Sequence, residues 1–127
     1  MARILLAEDE EALRAFVVRA LVQDGHDVVA TADGGEALDA LTREQGKFDL
    51  LLTDIRMPVM DGIALALAAA RDYPELTILL MTGYADQRER ASGLDMLIHD
   101  VITKPFTLAT IRAAVREALF AGAQSRR

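Results

Sequence analysis

Five polar residues stand directly after short apolar runs of the 127-residue chain, and their types allow metal and phosphate chemistry. They are Glu8, Asp9, Asp54, Thr82 and Lys104. If the apolar runs are parallel strands, these residues lie at the carboxyl ends of the strands, where open α/β sheets place their binding crevice. The sequence therefore predicts three carboxylates, one hydroxyl and one ammonium group on a single edge of a sheet.

The three acids predict a site for a hard divalent cation. Carboxylates a few ångströms apart repel one another, so a proton or a cation has to compensate their charge. Mg²⁺ prefers oxygen ligands and usually takes one or two carboxylates, several waters and a phosphate oxygen. We expect Asp9 and Asp54 to be direct ligands and Glu8 to hold a metal-bound water.

Asp54 is also a candidate nucleophile, because a carboxylate can attack phosphorus and form a labile acyl phosphate. Lys104 suits pairing with a phosphate oxygen, and the Thr82 hydroxyl can donate a hydrogen bond to another. Phosphoryl transfer depends mainly on positioning and charge stabilisation, so these three side chains include the kinds of group that the reaction needs. The bond from Lys104 to Pro105 is open to either isomer, and a cis bond would turn the ammonium inward.

The elements that must position these residues alternate along the chain. Short apolar runs predict strands buried on both faces, at 4–7, 28–30, 50–53, 78–81 and 101–103. Amphipathic segments predict helices at 11–24, 35–44, 62–73 and 108–121, and the polar segment 85–100 predicts a short, irregular or mobile helix. This alternation predicts a flavodoxin-like, doubly wound α/β fold with a five-stranded parallel sheet in the order 2-1-3-4-5.

Composition narrows the class of protein. A hydrophobic content of 52% predicts one domain, residues 1–121, followed by a frayed tail at 122–127. The chain has no run of about 18 uncharged apolar residues, so we expect a soluble, cytoplasmic protein without membrane contact. The absence of cysteine excludes disulfides and thiolate metal sites. The net charge of -6 disfavours direct binding to nucleic acid and favours a protein partner.

Four motifs stand in a fixed order along the chain: Glu8-Asp9, Asp54-Ile55-Arg56-Met57-Pro58-Val59-Met60-Asp61-Gly62, Thr82-Gly83 and Lys104-Pro105-Phe106. In order and spacing, these motifs resemble those of the two-component response regulator receiver family, whose fold is CheY-like. The resemblance covers nearly all residues from 2 to 121. It implies a binding module switched by phosphorylation, with no enzymatic turnover beyond self-catalysed phosphorylation and dephosphorylation.

The resemblance also implies a role for each site residue. Asp54 would be the phospho-acceptor, and Mg²⁺ would be bound by Asp9, Asp54 and the backbone carbonyl of Arg56, with Glu8 assisting through a water. The hydroxyl and the ammonium group at the ends of the fourth and fifth strands would contact the phosphate. The phosphoryl donor would be a histidine kinase or a histidine phosphotransfer protein.

Two departures from the family pattern concern the output. Many receivers carry an aromatic switch residue three positions before the lysine, and this chain has Val101 there. Tyr84, two residues after the threonine, is a candidate substitute for that switch. Together with the irregular segment 85–100 and the opening residues, these features resemble the stand-alone CpdR group. That resemblance implies an adaptor that controls regulated proteolysis by the ClpXP protease.

Two alternative functions stay open at this point. The chain could be the receiver fragment of a larger regulator such as a transcription factor, although its end soon after the last predicted helix favours a single-domain protein. It could also be an aspartyl-nucleophile phosphatase. Such enzymes place a second acid two residues after the nucleophile, where this chain has Arg56, so the sequence disfavours that activity.

Several residues near the motifs have structural explanations. Asp61-Gly62 predicts a turn followed by a helix start, and Met57 and Met60 are expected to pack the loop. His26 and His99 have no acidic partner at the spacing of a metal site, and both are expected at the surface.

Overall fold

The computed structural model describes residues 2–83 and 89–125. Within this part, five parallel strands form one sheet in the order β2-β1-β3-β4-β5, which confirms the predicted fold class. The strands are β1 (Arg3–Ala7), β2 (Asp27–Thr31), β3 (Leu50–Asp54), β4 (Thr77–Thr82) and β5 (Asp100–Thr103). The α-helices are α1 (Glu11–Gln23), α2 (Gly34–Arg43), α3 (Gly62–Asp72) and α4 (Leu108–Ser125), with a short 3-10 helix at Ser92–Leu94.

The core lies in two layers, one on each face of the sheet. Successive residues of a strand point to opposite faces, so neighbours along a strand enter different layers. Leu51 and Leu80 belong to the layer covered by α2 and α3, whereas Leu52 and Leu79 belong to the layer covered by α1 and α4. Each such leucine is fully buried and contributes roughly 1.5–3 kcal/mol through removal from water.

Burial differs between inner and edge strands, which corrects one prediction. β3 is buried at all five positions, and β1 and β4 are buried after their first residue. In contrast, the edge strands β2 and β5 have exposed and half-buried positions. The expectation that every strand is buried on both faces is therefore wrong for these two, because each has a neighbouring strand on one side only.

The helices begin and end close to the predicted positions. Gly25, with a φ of 86°, follows α1, and α3 ends at Asp72, before Tyr73 and Pro74. The larger difference is α4, which continues through the segment 122–125 that the sequence assigns to a tail. None of the helices in the described ranges is long and apolar enough to cross a membrane.

Residues 89–99, which the structure describes between β4 and β5, contain only short and irregular elements. Residues 89–91 are helical, the 3-10 helix follows, and a turn spans 95–97. For this stretch, the prediction of a short and irregular helix is confirmed. Tyr84, the proposed switch residue, lies outside the described residues.

Candidate functional site

A cavity of about 830 Å³ opens at the carboxyl edge of the sheet. Its floor comes from the residues that follow β1 and end β3, and its walls come from α1 and from the loops after β4 and β5. The lining residues are Glu8, Asp9, Glu10, Leu13, Asp54, Arg56, Gly83, Lys104, Pro105 and Phe106. The structure thus brings most of the predicted site residues to one place.

The register of the sheet places two of the acids side by side. β1 and β3 pair Ala7 with Thr53, so the next residues, Glu8 and Asp54, lie side by side at the carboxyl edge of the sheet. The side chains of both are buried, whereas Asp9 is exposed. One carboxylate oxygen from each of the three acids lies within 4.8 Å of the others. Only oxygen donors are grouped here, which fits a hard cation such as Mg²⁺.

Lys104 brings the single ammonium group to this cluster. Its Nζ lies 2.9 Å from Glu8 Oε1 and 3.2 Å from Asp54 Oδ1. The backbone N–H of Lys104 donates to the carbonyl of Thr82 at 2.7 Å, so the pairing of β4 with β5 holds the lysine in place. The Lys104–Pro105 peptide bond is cis.

Burial and charge shift the acidities of these groups. Burial raises the pKa of Glu8 and of Asp54, because a charged carboxylate loses its hydration, and Lys104 partly offsets both shifts. The negative charge of Asp9 raises the pKa of Asp54 further. Burial acts to lower the pKa of Lys104, but its hydrogen bond to Glu8 and the charge of Asp54 outweigh burial and raise it. Among the described residues, Lys104 therefore shares its charge between two buried acids, and a bound metal ion would relieve their repulsion further.

The loop between β3 and α3 is held close to Asp54. The Ile55 N–H donates both to Asp54 Oδ1 and to the carbonyl of Met81, each at 3.0 Å. A Cβ atom on Gly62 would lie 2.0 Å from the Asp54 carbonyl oxygen, so only glycine fits there. Asp61 caps α3 by accepting from the Ala64 N–H at 2.9 Å. The prediction that Asp61-Gly62 forms a turn and a helix start is confirmed.

Packing of the two loop methionines is confirmed as well, since Met57 is buried in the α2–α3 layer and Met60 packs against it. Between them, Val59 has a φ of 70° and its side chain is 85% exposed. A β-branched residue at positive φ is strained, so the surrounding contacts must hold this loop in place.

Thr82 lies beside the cavity. It is the last residue of β4, is almost fully buried, and pairs in register with Thr103. Among the described residues, its neighbour Gly83 lines the cavity, whereas Thr82 does not. Val101, in the place of the usual aromatic residue, packs against the α2–α3 layer.

Some contacts around the site were not predicted. Arg14, one turn into α1, donates to the Glu8 carbonyl at 2.9 Å, and the Glu10 N–H donates to Glu8 Oε2 at 3.0 Å. The helical position of Arg14, six residues after Glu8, is the sequence feature that could have predicted its contact with the Glu8 carbonyl.

Another unpredicted contact lies outside the lining of the cavity. Asp24, after α1, accepts hydrogen bonds from Arg112 and Arg116 of α4, and these arginines lower its pKa.

Both histidines differ from their predicted surface positions. His26 is half-buried, and its Nδ1 accepts from the Ala2 N–H at 3.2 Å. Burial lowers its pKa. His99 is also half-buried, and its Nε2 lies 3.5 Å from Glu117 Oε1. The helical position of Glu117 gave no signal of this contact, because the two residues meet only through the packing of α4 on the sheet.

Comparison with known proteins places the chain among signalling domains. A family model described as the response regulator receiver domain matches residues 4–116. The response regulator receiver protein CpdR of Brucella abortus is 40% identical over 121 residues, which cover 95% of this chain and 99% of CpdR. The transcriptional regulatory protein TcrA of Mycobacterium tuberculosis is 34% identical over 90% of this chain, which spans only 44% of TcrA. A CheY-like receiver structure from Methanospirillum hungatei JF-1 has a TM-score of 0.89 and 27% identity, with 98% of each chain covered.

Proposed function

The chain belongs to the response regulator receiver family, and from this premise we propose that it is a phosphorylation switch whose phospho-acceptor is Asp54. One observation carries the proposal: Asp54 lies in a cavity beside two further acids and within 3.2 Å of the Lys104 ammonium. A buried carboxylate with a cation at its side and an open cavity in front can accept a phosphoryl group.

The reaction is a direct transfer onto oxygen. An Asp54 carboxylate oxygen attacks phosphorus, the phosphorus–nitrogen bond of a donor phosphohistidine breaks, and the electron pair leaves with the imidazole nitrogen, which takes up a proton. Lys104 then pairs with a phosphoryl oxygen in place of its contact to Asp54. The product is an acyl phosphate, and water can later hydrolyse it, which resets the switch.

The residues present fit a magnesium ion as cofactor. Asp9, Asp54 and the backbone carbonyl of Arg56 would hold it, and Glu8 would reach it through a water, because Lys104 and the Glu10 N–H already occupy both Glu8 oxygens. When bound, the ion supplies positive charge that neutralises the phosphoryl oxygens. The three grouped carboxylates support this assignment.

The output of the switch is a change in protein contacts. We propose that the Thr82 hydroxyl donates a hydrogen bond to the phosphoryl group and that Tyr84 repacks in response. Tyr84 would then act as the aromatic switch residue, because this chain has Val101 at the usual position of that residue. A few kcal/mol of differential contact are sufficient to shift such an equilibrium. The domain that switches would span residues 1–121.

The partners follow from the family. We propose that the protein acts in the cytoplasm and that a histidine kinase or a histidine phosphotransfer protein is its phosphoryl donor. For the output we propose an adaptor role in regulated proteolysis with ClpXP as the partner, supported by the 40% identity to CpdR over 99% of its length.

Labelling with a small phosphodonor tests the acceptor. The parent, incubated with acetyl phosphate and Mg²⁺, is expected to gain the mass of one phosphoryl group, and chelation of the ion should prevent the gain. Asp54→Asn should stay unlabelled. The matched control is Asp39→Asn, which removes an exposed carboxylate on α2 and should be labelled like the parent. Equal labelling of Asp54→Asn and the parent would show that the acceptor is another residue.

Binding to purified ClpX tests the output separately. The unphosphorylated parent and Asp54→Asn are expected to bind, and the parent labelled by acetyl phosphate is expected to bind more weakly. Equal affinity of labelled and unlabelled parent would contradict the ClpXP assignment while leaving the acceptor assignment intact.

A further inference from the structure

The loop 8–10 carries two of the three grouped acids of the cavity. It has only three residues between the end of β1 and the start of α1. Glu8 is buried, and its carboxylate oxygens accept hydrogen bonds from Lys104 and from the Glu10 N–H. Asp9 is exposed, and among the described residues no side chain is hydrogen-bonded or ion-paired to its carboxylate. The position of Asp9 therefore depends on the backbone of the loop.

Arg14 of α1 binds the backbone on both sides of Asp9. Its guanidinium Nη1 donates to the Glu8 carbonyl at 2.9 Å, and its own backbone N–H donates to the Glu10 carbonyl at 2.9 Å. A third contact, from the Glu8 N–H to the Thr31 carbonyl at 3.1 Å, ties the start of the loop to the end of β2. One residue of α1 thus restrains the two residues that flank the exposed acid.

The place of Arg14 in the helix accounts for its reach. A long side chain in a helix lies over the turn that precedes its own Cα, so an arginine in the first turn of α1 extends back toward the loop. The helix dipole opposes a positive charge at the amino end of a helix, so helix stability does not explain this arginine. Arg14 is half-buried, whereas Arg19, further along α1, is exposed. Both arginines line one cavity of about 490 Å³, which makes Arg19 a matched control.

Arg14 acts on the loop through its contacts more than through its charge. Burial is the largest influence on the pKa of Glu8 and on that of Asp54. The next largest influences come from Lys104, from neighbouring acids and from backbone N–H groups, and Arg14 is not among them. A substitution of Arg14 is therefore expected to change the geometry of the loop while leaving the acidities in the cavity largely as they are.

From these contacts we propose that Arg14 is a positioning residue for the magnesium ion. By holding the backbone on both sides of Asp9, it keeps this carboxylate close to Asp54, and one oxygen of each lies within 4.8 Å of the other. Arg14 does not touch the ion itself. Mutation of a group that orients a metal ligand typically costs about 10–100-fold in metal affinity. The proposal rests on the proposed function, in which Asp9 and Asp54 are direct ligands.

Titration of the protein with Mg²⁺ tests this role. Amide chemical shifts of the residues that line the acidic cavity report binding. Arg14→Gln removes the guanidinium and should raise the Kd for Mg²⁺ about tenfold. Arg14→Lys keeps a donor for the Glu8 carbonyl and should raise the Kd less than about threefold. Arg19→Gln makes the same change in charge on the same helix and should keep the Kd of the parent.

Acetyl phosphate labelling separates positioning from a merely structural role. For Arg14→Gln, the Mg²⁺ concentration that gives half of the maximal labelling rate should rise by the same factor as the Kd. The maximal rate at saturating Mg²⁺ should stay within about twofold of the parent, because Asp54 and Lys104 are unchanged. Arg14→Met keeps the apolar stem but lacks the donor, so it should match Arg14→Gln and replaces it if that variant does not fold. Failure of both variants to fold, judged by circular dichroism, would make the role of Arg14 structural and would overturn the proposal.

Three further results would reject the role of Arg14. The first is a Kd for Mg²⁺ in Arg14→Gln equal to that of the parent. The second is a lower maximal labelling rate at an unchanged half-saturating Mg²⁺ concentration. The third is an equal loss of Mg²⁺ affinity in Arg19→Gln, which would make the effect one of net charge. Each of these leaves Mg²⁺ binding and labelling of the parent intact, whereas a parent that does not respond to Mg²⁺ would overturn the proposed function as well.

Discussion

The two halves of the acidic cavity are built differently. The half that holds Glu8 and Asp54 stands on β1 and β3, inner strands that are buried in both layers. The half that holds Lys104 borders the segment 89–100 and the edge strand β5, where exposed and half-buried residues dominate. The difference teaches that Glu8 and Asp54 are fixed by the core, whereas Lys104 lies beside a less buried segment in which fewer contacts oppose a rearrangement.

Truncation of an apolar side chain should give the largest difference in the free energy of unfolding between the two regions. Leu52→Ala, at a fully buried position of β3, is expected to lower the free energy of unfolding by about 3–5 kcal/mol, because it leaves a cavity between layers. Leu97→Ala, in the turn before β5, should change it by less than about 0.5 kcal/mol. Urea denaturation of both variants measures this difference. Similar losses would mean that the turn is as tightly packed as the core.

Two glycines give the next contrast. Gly62→Ala would place a methyl group against the Asp54 backbone, so we expect a loss of about 3 kcal/mol and greatly reduced labelling of Asp54. Gly93→Ala meets nothing within 4 Å and should leave stability within about 0.5 kcal/mol of the parent. Denaturation midpoints and acetyl phosphate labelling check both. Normal labelling of Gly62→Ala would show that the loop can move away from Asp54 at little cost.

Magnesium binding should depend on the first half alone. Mg²⁺ at a hundredfold excess over its Kd should stabilise the parent by about 2.7 kcal/mol. Asp9→Asn should lose this gain, whereas Asp95→Asn, in the segment after β4 and outside the lining of the acidic cavity, should keep it. Thermal unfolding with and without the ion measures the gain. An unchanged gain in Asp9→Asn would remove Asp9 from the ligand set.

The smallest expected effect concerns an ion pair that joins the halves. Arg90 donates to Asp61 Oδ2 at 3.0 Å and so ties the segment after β4 to the start of α3. Burial alone would raise the pKa of Asp61, but the hydrogen bond from Ala64 and the pairing with Arg90 outweigh burial and lower it. The stability that this pairing contributes is therefore present above the unfolded-state pKa and is lost as pH falls through the lower folded-state pKa.

The variant Arg90→Gln tests the contribution of this ion pair to stability. Because both partners are partly exposed, we expect a loss of less than about 1 kcal/mol at neutral pH, which disappears in acid. Arg71→Gln, which breaks a pair with the adjacent Asp72 within α3, is the matched control and should leave Asp54 labelling unchanged. Urea denaturation across the acid range measures the loss. A loss that stays constant down to the lowest pH would show that Arg90 acts through packing.

The sequence predicts the first half of the cavity better than the second. Apolar runs mark the inner strands, and the residues that end them, such as Asp54, are placed by the sheet register itself. Two ion pairs join residues far apart in the chain, Arg90 with Asp61 and His99 with Glu117. No local sequence pattern predicts such pairs. The exposed positions of β2 and β5 depend on which strands are at the edge, and the apolar runs alone do not distinguish edge from centre.

The strand order has a consequence for how the protein is made. β1 is synthesised first, yet its inner neighbour β3 begins at Leu50, and the layer between α1 and α4 closes only after Leu108–Ser125 has left the ribosome. Until then, Leu6, Val17 and Leu21 have no complete cover, and nascent chains with such surfaces are prone to aggregate. The layer between α2 and α3 can assemble earlier in translation, so we expect the two faces of the sheet to mature at different times.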